Sequence, residues 1–126
     1  GIIHAGDVSK AFGAGASMVM VGGMFAGCDE CEGKWTYQDD KKTHLQFYGM
    51  SSREAMEKHY GGMADYKTAE GKLVSVPYKG SSSDIASEIL GGLRSTCTYI
   101  GASTLGEMHE KSNFIKVYRT HNQVFN

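Results

Sequence analysis

The sequence lacks the features of a nucleic-acid-binding, membrane-spanning or secreted protein. Its basic residues are scattered and its formal net charge is −1, so no Lys/Arg face indicates a nucleic-acid partner. No long hydrophobic run is present, because the most apolar stretch, residues 18–26, is short and interrupted by Gly22-Gly23, which argues against a membrane span. The first residues do not form the pattern of a signal peptide. We therefore expect a soluble protein of the cytoplasm.

Cysteine is also scarce. The three cysteines do not have the spacing of a disulfide framework, which is typical of a reducing compartment. Cys28 and Cys31 have the spacing of a zinc or redox hook, but no second pair accompanies them and the acidic residues between them disfavour a thiolate. The five histidines follow no ligand pattern. We expect no metal site.

The glycine-rich segment Gly61–Pro77 is the most informative part of the sequence. It contains two carboxylates, Asp65 and Glu70, and Glu70 follows shortly after the pair Tyr66-Lys67. Glycines allow such a segment to close over a ligand, where the carboxylate of Glu70 is suited to proton transfer. On residue types alone, a solvated surface loop remains the alternative.

In the first half of the chain, periodicity predicts helices and strands together. A helix begins near Gly6-Asp7 and ends by Gly15, and the apolar run Ser17–Val21 is typical of a buried parallel strand. Alternating residues from 34 to 48 predict a β-hairpin. Further on, Ser51 or Ser52 begins a predicted short helix to about His59, and Leu73–Val76 predicts a brief strand that Pro77 ends.

The second half is dominated by one long predicted helix. Ser83 is its predicted cap, and its apolar stripe comprises Ile85, Ile89, Leu93, Cys97 and Ile100. Gly91-Gly92 interrupt that stripe, where a closely packed neighbour needs room. A short helix near residues 105–111 and an extended segment over 114–118 follow.

Four blocks of the sequence carry a family resemblance: GDVSKAFGAGASMVMVGGMFAG, YGMSSREAM, GGMADYKTAEGKLVSVP and LGGLRSTCTYIGAS. Together they resemble the C-terminal third of the GMP reductase family. The sister family, IMP dehydrogenase, typically has other residues where this chain has Ser51-Ser52 and Arg94-Ser95-Thr96-Cys97. The implied fold is α/β: the C-terminal portion of one (β/α)8 TIM barrel. Residues 28–80 would be a hairpin and flap inserted after the last strand, and residues 81–126 the final helices and tail.

The resemblance also implies a substrate site for GMP and IMP. In a barrel of this type, phosphate binds between the loops after strands seven and eight and the start of an added helix, here at Gly1, Gly22-Gly23 and Ser51. On residue types alone, these glycines would be turn residues. The implied substrate-binding residues are Gly1, Gly22, Gly23, Tyr48, Gly49, Met50, Ser51, Lys67, Glu70 and Gly71.

The resemblance further implies NADPH as cofactor and Glu70 as the catalytic acid. The chain has Lys67 where the family pattern has an arginine. A lysine ammonium cannot make the planar bidentate contacts of a guanidinium group, so these contacts are lost at that position. The implied cofactor-binding residues are Met50, Tyr66, Lys67, Ser95, Thr96, Cys97, Thr98 and Tyr99. Without the resemblance, we would expect the hydroxyls of this last group to bond to their own helix or to face solvent.

The implied reaction is the reduction of GMP to IMP and ammonia in a homotetramer. The family's cysteine nucleophile lies upstream of Gly1, and none of the three cysteines here matches it. We therefore expect the chain alone to be inactive. Two alternatives remain open at this point: an IMP dehydrogenase, and a non-catalytic fragment that binds nucleotide or serves in assembly.

Overall fold

The computed structural model describes residues 1–48, Gly61 and residues 73–118. These residues form helix α1 (Ala5–Gly13), strands β1 (Trp35–Gln38), β2 (Lys41–Tyr48) and β3 (Leu73–Pro77), helix α2 (Ser82–Ile100), a 3-10 turn (Leu105–Glu107) and the short helix α3 (Met108–Lys111). The predicted α/β class is confirmed. None of the described helices is long and apolar enough to cross a lipid bilayer.

The core lies where α1, α2 and α3 meet. Val8, Leu93 and Met108 are buried there, one from each helix. Most of the predicted stripe of α2 packs on this cluster, namely Ile89, Leu93, Cys97 and Ile100. A Cβ on Gly92 would lie 3.2 Å from the Cβ of Ala5, whereas a Cβ on Gly91 would meet no atom within 4 Å. In the described structure, the closely packed neighbour predicted for this glycine pair is therefore present at Gly92 and not at Gly91.

Helix α2 begins earlier than predicted. Its N-cap is Ser81, whose hydroxyl accepts a hydrogen bond from the Ser83 N–H at 3.2 Å, so the prediction of Ser83 as the cap was wrong. The Ser82 N–H is satisfied by the carboxylate of Glu30 at 3.0 Å, a distant partner that stabilises the earlier start. Gly101, with a left-handed φ of 70°, ends the helix.

Residues 17–21 do not form the predicted buried strand. Met18 and Met20 are 83% and 84% exposed, while Val19 and Val21 pack against the core cluster. A parallel strand requires neighbouring strands for its hydrogen bonds, and none of the described segments pairs with these residues. Residues 1–3 also lie outside any strand, so the expected strand end at Gly1 is not observed.

The predicted hairpin is confirmed. Strands β1 and β2 pair antiparallel, and Asp39 and Asp40 join them with φ values of 49° and 59°. Two left-handed residues in succession are typical of a type I′ turn, whose twist matches that of the strands. Strand β3 is also confirmed, and it adds to this hairpin by pairing antiparallel with β2.

The last predicted helix is confirmed over residues 105–111 as the 3-10 turn followed by α3. Residues 114–118 form no strand, and Phe114 and Ile115 are 62% and 83% exposed. None of the described strands pairs with this segment.

Candidate functional site

Gly22 begins a tight turn that we call the glycine turn, residues 22–27. Its carbonyl accepts hydrogen bonds from the N–H groups of Phe25 and Ala26 at 3.1 and 3.2 Å. Gly22 and Gly23 do not have a left-handed φ, and a Cβ on either would meet no atom within 4 Å. Among the described residues, neither the backbone nor packing requires glycine here. In the part of the chain that the structure describes, the space next to them leaves room for a ligand that approaches main-chain N–H groups.

The side chain of Lys79 lies against the carbonyl side of the glycine turn. Its Nζ donates hydrogen bonds to the carbonyl oxygens of Gly23 at 2.9 Å and Met24 at 3.0 Å. In a planar trans peptide the N–H points opposite to the carbonyl. Lys79 holds the Gly23 carbonyl, and the N–H groups of Phe25 and Ala26 hold that of Gly22. The N–H groups of Met24 and Gly23 therefore each point away from these contacts.

Two backbone segments meet next to this turn and form what we call the clasp, residues 27–29 with residues 78–80. The Lys79 N–H donates to the Gly27 carbonyl, and the Asp29 N–H donates to the Gly80 carbonyl, both at 2.9 Å. Gly27 has a φ of 95°, and a Cβ there would clash with the Pro77 carbonyl oxygen. The clasp joins the first and last residues of the predicted insertion, Cys28 and Gly80, as a parallel β-bridge.

Two carboxylates reinforce the clasp. Asp29 Oδ2 accepts a hydrogen bond from the Tyr78 hydroxyl at 3.0 Å, and this bond raises the pKa of Tyr78 above its usual value. Glu30 accepts from the Ser82 N–H at 3.0 Å, which lowers the pKa of the Glu30 carboxyl. The glycine turn, the three-stranded sheet and the start of α2 are thus tied together at one place.

The described members of the predicted cofactor set, residues 95–99, lie further along α2. Thr96 and Thr98 donate their hydroxyls to the carbonyls of Gly92 and Arg94, at 2.9 and 3.1 Å. Cys97 packs on the core, while Ser95 and Tyr99 are exposed. At 1.5 Å per residue, this stretch begins about 20 Å from the first residue of α2. Cys97 packs on the same core cluster as Val21, the residue that precedes the glycine turn.

A cavity of about 420 Å³ lies beside this part of α2. Its lining is mainly apolar, with Leu90, Leu93 and Leu105 and the charged side chain of Arg94. Of the described members of the predicted cofactor set, Cys97 alone lines it. The exposed hydroxyls and ring of that set are therefore directed elsewhere.

The described thiols are poor nucleophiles by position. Cys28 is 1% exposed, and burial raises the pKa of its thiol, with a further rise from Cys31 and Glu30. The Cys31 thiol donates to the Phe25 carbonyl at 3.1 Å. All three cysteines are free, and the described residues contain no group of His, Cys, Asp and Glu that could hold a metal ion.

Several predicted site residues lie outside the described residues, namely Gly49, Met50, Ser51, Tyr66, Lys67, Glu70 and Gly71. Their assignment stays a prediction, as do the predicted helix to His59 and the closing segment around Glu70. Tyr48 ends β2, and the chain-terminal Gly1 is exposed.

Sequence reasoning missed the residues of the clasp. Lys79 is separated from its acceptor Gly23 by 56 positions, and Glu30 from Ser82 by 52. Single charged residues at such separations give no periodic signal. The available signal was a glycine at each end of the insertion, Gly27 directly before it and Gly80 as its last residue. Glycines at such positions indicate that two backbone segments approach closely.

Comparison with known proteins gives consistent results. A sequence model of the IMP dehydrogenase / GMP reductase domain matches residues 1–123. The chain is 53% identical to a GMP reductase of Buchnera aphidicola over 126 residues, all of this chain and 36% of that protein. It is 56% identical to GMP reductase 1 of Mus musculus over 120 residues, 95% of this chain and 34% of that protein. The chain thus spans about a third of the length of these relatives.

Two solved structures resemble the fold. A GMP reductase of Trypanosoma brucei in complex with guanosine 5′-monophosphate has a TM-score of 0.79 and 36% identity, over 93% of this chain and 24% of that one. An inosine 5′-monophosphate dehydrogenase of Legionella pneumophila has a TM-score of 0.69 and 42% identity, over 94% of this chain and 37% of that one.

Proposed function

Because the chain belongs to the IMP dehydrogenase / GMP reductase family, we propose that the protein containing it is a GMP reductase. It would convert GMP to IMP and ammonia with NADPH. The observation that carries this proposal is the 53% identity to a GMP reductase over the whole chain. The chain would form the C-terminal portion of a TIM barrel, with residues 28–80 inserted after the last strand and residues 81–126 as the final helices and tail.

The glycine turn is the proposed site of the substrate phosphate. Its carbonyls are held by Lys79 and by the turn itself, and the N–H groups of Gly23 and Met24 face away from them. Main-chain N–H groups in such an arrangement bind anions. Gly1, Gly49 and Ser51 would complete the phosphate site, and Tyr48 and Met50 would contact the nucleotide.

The chemistry would begin with a cysteine thiolate upstream of Gly1 that adds to C2 of the purine and displaces ammonia. Glu70 would move the proton at the departing nitrogen, and the resulting thioimidate would accept hydride at C2 and release IMP and the thiol. When bound, NADPH supplies that hydride. Exposed Tyr99 and Ser95 beside Arg94 fit a nucleotide, because an aromatic face, a hydroxyl and a guanidinium suit a base and a phosphate.

IMP dehydrogenase is the second candidate, supported by the 42% identity to the Legionella pneumophila structure. The two candidates differ in substrate, cofactor and direction. The intact protein is assayed with GMP plus NADPH and, separately, with IMP plus NAD. We expect oxidation of NADPH with release of ammonia in the first assay alone. Formation of NADH from IMP would instead assign the dehydrogenase, and activity in neither assay would favour the non-catalytic fragment.

A homotetramer in the cytoplasm is the proposed assembly and location of the intact protein. Sedimentation of the intact protein with and without GMP tests the assembly.

A further inference from the structure

We propose that Lys79 is a positioning residue for the substrate phosphate, because its ammonium group holds the Gly23 carbonyl so that the N–H of the same peptide, that of Met24, faces the phosphate. This inference rests on the proposed function. Lys79 itself would touch no atom of the substrate.

The geometry of the turn supports this role. Lys79 Nζ lies 2.9 and 3.0 Å from two consecutive carbonyl oxygens, those of Gly23 and Met24. Gly23 has no side chain to restrict its backbone, so an external tether is needed to fix its peptide planes. Two hydrogen bonds from a charged donor supply that tether. A Gly23 peptide that rotated would turn an N–H away from the phosphate and a carbonyl toward it.

The attachment of Lys79 makes it a rigid tether. Its own N–H bonds to the Gly27 carbonyl, and the next residue, Gly80, is bridged to Cys28. The backbone of Lys79 is therefore fixed to the end of the same turn that its side chain holds at the beginning. Side chain and backbone together span the turn from Gly23 to Gly27.

The clasp gives this tether a second consequence. Lys79 lies two residues after β3 and directly before Gly80, the last residue of the predicted insertion. The residue that orders the glycine turn therefore also lies at the end of the insertion. Glu30, at the other side of the clasp, binds the first N–H group of α2. Ordering of the turn by a bound phosphate would thus stabilise the base of the insertion that carries Glu70.

The test compares substitutions of Lys79 in the intact protein. Lys79→Met keeps the length of the side chain and removes the donors, Lys79→Gln keeps amide donors without the charge, and Lys79→Arg keeps charge and donors. Lys111→Met is the matched control, because Lys111 Nζ also donates to a main-chain carbonyl, that of Gly101, away from the turn. Affinities for GMP and for guanosine, which lacks the phosphate, are measured for each variant, together with KM and kcat.

We expect Lys79→Met to weaken the binding of GMP about tenfold, equivalent to about 1.4 kcal/mol. The affinity for guanosine should stay within about twofold of that of the parent protein. KM for GMP should rise with little change in kcat. Lys79→Gln should be intermediate, Lys79→Arg close to the parent, and Lys111→Met without effect on the ratio of the two affinities. If Lys79→Met does not fold, the Gln variant must show the same selective loss of GMP affinity.

Equal losses for GMP and guanosine, or no loss for either, would overturn the role of Lys79. Failure of the parent protein to bind GMP would instead refute the proposed function, so the two failures are distinguishable.

Discussion

Glu70 is the residue on which the proposed chemistry depends most directly. In Glu70→Gln, displacement of ammonia should slow because the proton at the departing nitrogen can no longer be moved, whereas hydride transfer needs no such proton. A positioned acid or base contributes about 10²- to 10⁴-fold, so turnover of GMP in the intact protein should fall by that factor. The measurement is steady-state oxidation of NADPH.

The hydride step is followed separately by mixing IMP with NADP and recording NADPH and the covalent intermediate. This half-reaction should be nearly unchanged in Glu70→Gln. An equal loss in both reactions would show that Glu70 holds the segment closed over the substrate, and no loss in either would remove Glu70 from the mechanism.

At the scale of single residues, local patterns were informative and distant partners were not. Gly22-Gly23 are visible in a short window as a glycine pair after an apolar run, and the family resemblance made them a candidate site. The contacts of Lys79 with Gly23 and Met24 could not be foreseen, since they depend on how the whole insertion returns to its starting point. The sequence pattern of α2 also did not distinguish Ser81 from Ser83 as the N-cap. The helix begins after Ser81 because the distant Glu30 accepts the hydrogen bond of the Ser82 N–H.

Among the elements, the start of α2 should respond to acid. The folded state lowers the pKa of Glu30, so it binds fewer protons than the unfolded chain and the stabilisation is complete above the ordinary carboxyl value of 4.5. It is lost as the pH falls through the lowered pKa. We expect the stability difference between the parent chain and Glu30→Gln to be present at pH 6 and to vanish at strongly acidic pH.

Urea unfolding of the dilute 126-residue chain, followed by circular dichroism from pH 2 to 7, measures this difference. Glu32→Gln is the control, since it removes the same charge from an exposed residue for which the described structure shows no hydrogen bond. A pH dependence that is the same in both variants would mean that Glu30 does not stabilise α2 through the Ser82 N–H.

The two adjacent glycines of α2 provide a second prediction at this scale. Gly91→Ala should stabilise the chain by about 1 kcal/mol, because alanine has the higher helix propensity and its Cβ meets no atom within 4 Å. Gly92→Ala should give a smaller gain or a loss, because its Cβ lies 3.2 Å from that of Ala5 and α1 must move.

Free energies of urea unfolding in dilute solution check this pair. Equal gains at both positions would show that α1 yields to the new methyl group without cost, and a loss at Gly91 would reveal a neighbour outside the described residues.

Whether an element could be predicted from the sequence depended on how far apart in the sequence its hydrogen-bond partners lie. The hairpin of β1 and β2 and the helices α1 and α2 were predicted because their bonds join residues close in sequence. Residues 17–21 have the composition of a buried parallel strand, but composition cannot supply the neighbouring strands that such a strand needs. The position of β3 on β2 was likewise decided by a pairing across the insertion.

For the molecule as a whole, we expect the 126-residue chain to be inactive and to self-associate. It spans about a third of its relatives' length, and it exposes Met18, Met20 and Ile3 by 83%, 84% and 69%. Contiguous exposed apolar groups favour association. The purified chain should show no GMP-dependent oxidation of NADPH, and its sedimentation coefficient should rise with concentration.

Substitution of both exposed methionines by serine should reduce this association, because it removes apolar surface from residues 17–21. Tyr37→Ser, at an exposed position of β1, is the control and should leave association unchanged. GMP-dependent turnover by the unmodified chain would contradict the prediction of inactivity, and an unchanged sedimentation profile in the double variant would place the contact elsewhere.

The bridge between Cys28 and Gly80 makes the intervening sequence an exchangeable module. Since the chain leaves and rejoins the frame at neighbouring points, a change of length between Glu30 and Tyr78 alters the entropy of closing the loop, which grows slowly with length. Related proteins could therefore exchange, shorten or lengthen the part of this module between Glu30 and Tyr78, whereas Glu30 and Lys79 must be kept because they hold α2 and the glycine turn. The same junction offers protein engineers a defined site for grafting an insertion from one family member onto another.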